Sequence, residues 1–151
     1  VVHYSRPLVT STRCHMLAMY LVLESYLNMV CDYPEAYKGQ PGFDFLKDVP
    51  TVWDETRVLE AKIAEYVVTA RRKGEYWYVG CINNTTERTI DINFNFLEDG
   101  EYSLELLKDA DDTDSDPNHL ESSVMNVTKC DRTTIRLASS GGAVMKLCRK
   151  H

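Results

Sequence analysis

Few residues in this sequence have the type and spacing to do chemistry. Asp54 and Glu55 are the first, adjacent carboxylates in Pro50-Thr-Val-Trp-Asp-Glu-Thr-Arg-Val-Leu59. Two carboxylates about 5–5.5 Å or about 6.5–9.5 Å apart can split an acetal, one as acid and the other as nucleophile or base. Here, however, the pattern has a period of two. Val52, Asp54, Thr56 and Val58 share one face, and Trp53, Glu55, Arg57 and Leu59 the other. Neighbours in a strand point to opposite faces, so Asp54 and Glu55 cannot address one substrate. The pattern instead predicts Trp53 as a sheet-core or domain-interface anchor and an ion pair between Glu55 and Arg57.

The acidic run Asp109-Ala-Asp-Asp-Thr-Asp-Ser-Asp116 invites a calcium reading. Counted from Asp109 or from Asp111, it lacks the glycine at position six and the glutamate at position twelve of an EF-hand loop, so it reads as a solvated acidic loop. Trp77, between Tyr76 and Tyr78, could stack on a sugar ring. Alternation places the two tyrosines opposite Trp77, so only one side of this set is expected to be core. Gly141-Gly142 has no Gly-Lys-Ser/Thr continuation and reads as a hairpin turn. Asn83, Asn84 and Asn126 each open an Asn-x-Ser/Thr sequon. The histidines His3, His15, His119 and His151 show no metal-ligand spacing, and no Ser/His/Asp set is evident. The widely spaced cysteines, Cys14, Cys31, Cys81, Cys130 and Cys148, form no zinc motif and read mainly as buried free thiols. No residue is therefore assigned as catalytic, cofactor-binding or metal-ligating.

The elements that would position these residues follow from composition and period. A chain of 151 residues, 44% hydrophobic and with net charge −6, can bury one ordinary core. Its acidic balance argues against nucleic-acid binding, because the one basic cluster, Arg71-Arg72-Lys73, is too short to follow a phosphate backbone. Residues 16–23 are uninterruptedly apolar, and Leu27, Met29 and Val30 extend the pattern. This predicts a long helix, capped by Thr12 and stopped at Tyr33-Pro34, that is apolar all round and buried in a larger domain. It is too short to span a bilayer and carries Glu24 and Asn28. No signal-peptide cleavage site accompanies it.

Residues 34–50 hold Pro34, Gly39, Pro41, Gly42 and Pro50, a turn-rich connector with a short helix expected near 42–47. From Thr51 strands are expected near 51–59, 63–72, 75–82, 87–94, 101–108, 121–128, 133–138 and 142–148. Lys73-Gly74, Asn83-Asn84, Asp99-Gly100 and Gly141-Gly142 supply turn chemistry. The fold class expected is mainly β: an antiparallel β-sandwich or flattened barrel, preceded by the long buried helix.

Three segments carry a family resemblance: Thr12-Arg-Cys-His-Met-Leu-Ala-Met-Tyr20, Pro50 to Leu59, and Glu65-Tyr-Val-Val-Thr-Ala-Arg-Arg-Lys-Gly-Glu-Tyr-Trp-Tyr-Val-Gly80. Together they resemble the C-terminal end of glycoside hydrolase family 97, which contains calcium-dependent α-glucosidases and α-galactosidases. The resemblance implies the last helix of a (β/α)8 catalytic barrel in 1–33, a connector in 34–50 and a C-terminal sandwich in 51–151. It implies a non-catalytic role: packing on the upstream barrel and joining subunits into a homo-oligomer, in a parent that cleaves terminal α-linked glucose or galactose from oligosaccharides. It also implies calcium held by barrel carboxylates upstream and an extracytoplasmic, periplasmic setting in a bacterium, where the sequons would go unused. A carbohydrate-binding accessory module is the alternative. If 1–33 ends a barrel, Arg13 and His15 lie in the loop leading into its last helix and His3, Arg6 or Arg13 would line the outer substrate cleft; the plainer reading of these residues is N-terminal packing and capping of a buried helix. Tyr26 replaces a proline common in relatives and should straighten the helix, and the match weakens over 109–130.

Overall fold

The computed structural model describes residues 10–30 and 33–150. Its helices are α1 (Arg13–Val22), α2 (Pro34–Tyr37) and α3 (Phe43–Lys47). The strands are β1 (Glu55–Lys62), β2 (Tyr66–Lys73), β3 (Tyr76–Asn83), β4 (Arg88–Asn93), β5 (Tyr102–Asp109), β6 (Leu120–Val127), β7 (Arg132–Leu137) and β8 (Gly142–Arg149). A six-stranded sheet runs β1-β2-β3-β8-β5-β6 and a two-stranded sheet pairs β4 with β7, all antiparallel. The mainly β, antiparallel class expected from the sequence is the class observed.

The six-stranded sheet is covered on both faces. On one, Trp77, Val79, Cys81, Met145 and Leu147 meet Ile90, Ile92, Phe94 and Ile135 of the smaller sheet and its flanking loop. On the other, Tyr78, Leu107 and Val144 meet Leu17, Ala18 and Leu21 of α1 and Phe45 of α3. This double burial corrects the expectation that only one side of the Tyr76-Trp77-Tyr78 set is core. Trp77 stacks edge-on with Phe96 at 5.0 Å, while Tyr78 meets Trp53 at 5.4 Å and donates its hydroxyl to the Asp48 carbonyl at 3.0 Å.

Gly80 makes the helix layer possible. A Cβ there would lie 2.7 Å from Leu21 Cβ and 3.1 Å from the Ala18 carbonyl, so α1 sits directly on the β3 backbone. Thr12 caps α1 as expected, accepting from the His15 N–H at 3.1 Å. The helix is far shorter than its apolar run predicts, however. Leu23 is extended, and the Val22 carbonyl that another turn would use accepts instead from Arg71 Nη2 of β2, at 3.4 Å. Tyr26 therefore lies beyond the helix and straightens nothing.

The first strand also differs from its period. β1 begins at Glu55 rather than Thr51 and is bulged between Val58 and Glu60. This lets Trp53 join the helix-side core and Leu59 the inner core. Asp54 sits before the strand and clamps the β2–β3 turn, accepting from Gly74 N–H at 2.8 Å and Lys73 Nζ at 2.9 Å.

Candidate functional site

The helix-side layer carries the feature that the fold leaves unused. Beyond α1 the chain is exposed where its residues are most apolar: Tyr26 at 74%, Leu27 at 78% and Met29 at 70%. Leu23, Val30 and Tyr33 continue this strip. Tyr20 tethers it by donating to the Met29 carbonyl at 2.9 Å, and Ser25 donates to the Leu27 carbonyl at 2.9 Å. Between the strip, the outer side of α1 and the connector lies a cavity of about 120 Å³, lined by Met16, Tyr20, Met29, Val30, Tyr37 and Phe43. Tyr37 and Phe43 stack at 5.1 Å to form its wall. Such a surface offers apolar area and shape, which is the chemistry of a docking face.

Arg13 closes the rim of this cavity. Its guanidinium donates to the Pro41 carbonyl and to Gln40 Oε1, each at 3.1 Å, and burial lowers its pKa. His15 packs Nδ1 against the Gly141 carbonyl at 3.0 Å. Both side chains therefore tie α1 to loops, as the plainer reading expected. His3 and Arg6 lie outside the described residues, as do Cys31 and His151.

Other candidates resolve into framework. Glu55 accepts from Arg57 Nε at 2.6 Å and Arg72 Nε at 3.2 Å, which holds its carboxyl below the usual carboxylate range. Asn83 is buried, with Nδ2 donating to the Thr86 and Ala138 carbonyls at 2.8 and 2.9 Å. Trp77 and Tyr78 are buried too, so they offer no ring face to a sugar. Tyr76 is exposed, with Lys146 Nζ 5.3 Å from its ring centroid. Among the described residues, no group of three or more His, Cys, Asp or Glu side chains could hold a metal ion. Among them also, no helix is long and apolar enough to cross a membrane.

Sequence reasoning missed two buried charges. Asp109 ends β5 and is only 1% exposed, unlike the solvated loop expected of its run. Its Oδ2 accepts from Gly142 N–H at 2.8 Å and Ala138 N–H at 3.2 Å. Oδ1 is buried without a hydrogen bond of good geometry, while the Thr12 hydroxyl and Cys14 thiol flank the carboxylate. Desolvation raises its pKa against the pull of those donors. Gly141 and Gly142 thus do more than form a turn. A Cβ on Gly141 would meet Asp109 Oδ2 at 2.1 Å, and one on Gly142 would meet His15 Cα at 2.7 Å. Arg71 is the second, buried beneath α1 with its guanidinium 5.7 Å from the Trp53 ring centroid. The available signal was position: Asp109 closes a strand pattern, and Arg71 follows the apolar strand residues Val67-Val-Thr-Ala70.

The family model for the glycosyl-hydrolase 97 C-terminal domain, described as an oligomerisation domain, matches residues 52–148. The chain belongs to glycoside hydrolase family 97. It is 40% identical over 145 residues to a retaining α-galactosidase of Bacteroides thetaiotaomicron, covering 95% of this chain and 22% of that protein. A family 97 enzyme from Pseudoalteromonas sp. strain K8, solved with acarbose, superposes with a TM-score of 0.89 at 32% identity, over 93% of this chain and 23% of that one. A β-arabinopyranosidase structure follows at TM-score 0.76 and 25% identity, over 91% and 21%. The chain thus spans about a fifth of these relatives. Residues 52–148 are the family 97 C-terminal domain, and α1 with its apolar strip lies ahead of the matched region.

Proposed function

We propose that this chain is the non-catalytic C-terminal part of an α-glycosidase and that its helix-side surface docks on the upstream catalytic barrel. The observation that carries this reading is the set of exposed apolar residues Leu23, Tyr26, Leu27, Met29, Val30 and Tyr33, which precede the matched domain. Burying it against another domain removes apolar area from water at about 25 cal/mol per Å². The whole enzyme hydrolyses terminal α-galactosides with retention, a reading supported by the name of the 40% identical relative. Calcium is held by barrel carboxylates upstream, the complete protein acts outside the cytoplasm, in the periplasm, and the domain also joins subunits.

The test uses the complete polypeptide and nitrophenyl α-galactoside and α-glucoside, with and without a chelator. Chelator-sensitive turnover of the galactoside by the complete protein, and none by residues 1–151 alone, is expected. Turnover by residues 1–151 would overturn the non-catalytic assignment, and preference for the glucoside would overturn the substrate class. A Leu27→Asp substitution in the complete protein should lower its thermal midpoint, because a carboxylate would be buried at the docking face. An unchanged midpoint would remove the docking reading.

A further inference from the structure

Sheet edges are where one copy of a β protein can join another, because their outward N–H and C=O groups are unpaired. The six-stranded sheet ends at β1 on one side and β6 on the other, and the two edges are built differently. β1 carries Glu55, Arg57, Glu60 and Lys62, and its register is broken between Val58 and Glu60. Charges and a bulge are the usual devices against edge-to-edge pairing. In contrast, β6 pairs with β5 in unbroken register from Leu120 to Val127. Its sequence is Leu-Glu-Ser-Ser-Val-Met-Asn-Val, and its one charge, Glu121, is engaged by Lys108 at 2.7 Å. Val124 stands 71% exposed at its middle.

We infer that the β6 edge is the seam of a two-fold homodimer, in which β6 pairs antiparallel with β6 of a second copy. This inference rests on the proposed subunit-joining role and names the surface for it. A second copy is the fitting occupant because the matched domain is described as an oligomerisation domain and one edge is guarded while the other is not. A two-fold axis perpendicular to the sheet places residues of equal parity opposite each other. Centred on Val124, it sets the valine against its own copy, Ser122 against the partner's Asn126, and Ser123 against the partner's Met125. Glu121 then lies opposite the partner's Val127, so the two glutamates are about 20 Å apart along the strands. The result is one sheet continuous through both copies, with both helix layers on the same side.

Sedimentation of the complete polypeptide across a concentration series tests the seam. Wild type is expected to dimerise. At the axis, Val124→Lys would place two like charges directly opposite, about 5 Å apart, and replace an apolar pair, raising the half-dissociation concentration about tenfold or more. Val58→Lys on β1 should leave it unchanged. Mixing Val124→Lys with Val124→Glu copies should restore the dimer, a rescue that damage to the fold would not give. A wild-type dimer that persists unweakened in Val124→Lys overturns the β6 seam and leaves the subunit-joining role standing. A wild type that stays monomeric throughout overturns both.

Discussion

Replacing Asp109 by alanine removes the one acceptor shared by the two N–H groups that shape the turn into β8. Gly142 N–H and Ala138 N–H donate to Oδ2 at 2.8 and 3.2 Å, at a site 1% exposed, so water cannot replace the carboxylate without opening the structure. Each buried donor left without a partner costs about 1–3 kcal/mol. The expected loss is therefore about 2–5 kcal/mol, after allowing for relief of the desolvation that raises the carboxyl pKa. Asp109→Asn keeps an acceptor and removes the charge, so at neutral pH its cost should be smaller by about 1 kcal/mol or more. The raised pKa also fixes a sign. Between the unfolded and folded pKa values the native state binds more protons, so this group's contribution to stability falls as pH rises through that window and is constant above it. Asp109→Asn should lose that component. Urea unfolding from pH 4 to 8, followed by tryptophan fluorescence, measures both effects. An Asp109→Ala midpoint within about 0.5 kcal/mol of wild type would refute the account of Asp109 as a structural acceptor.

Two further perturbations probe the layers on either side of the sheet. Gly80→Ala should cost about 1–3 kcal/mol in urea unfolding, because the added methyl would lie 2.7 Å from Leu21 Cβ, and an unchanged midpoint would mean that α1 does not rest on β3. Thiol labelling of the native protein, mapped by mass, should modify exposed Cys130 within minutes. Buried Cys14 and Cys81 should stay silent until unfolding, since burial pushes the Cys81 thiol up to about 12 and burial with the Asp109 charge raises that of Cys14. Rapid native modification of Cys81 would contradict the two-sided burial of β3.

Local rules were enough for the strand succession, because period-two patterning and turn residues such as Lys73-Gly74 act over a few positions. They were enough for the Thr12 cap, the Glu55–Arg57 pair and the short helix at Phe43, and the quoted segments carried the family itself. The rest depended on groups distant in the chain. α1 stops at Val22, where Leu23 turns extended and a guanidinium 49 residues away meets the Val22 carbonyl, while the apolar residues that continue the pattern stay exposed. Trp77 and Tyr78 are both core because a helix covers one face of β3 and a second sheet the other, a choice no alternation pattern encodes. Asp109 resembles its acidic neighbours in sequence and differs only in where β5 ends. Its burial was decided by the three-dimensional meeting of α1, β5 and the turn into β8, where two backbone donors needed an acceptor that the adjoining chain could not supply.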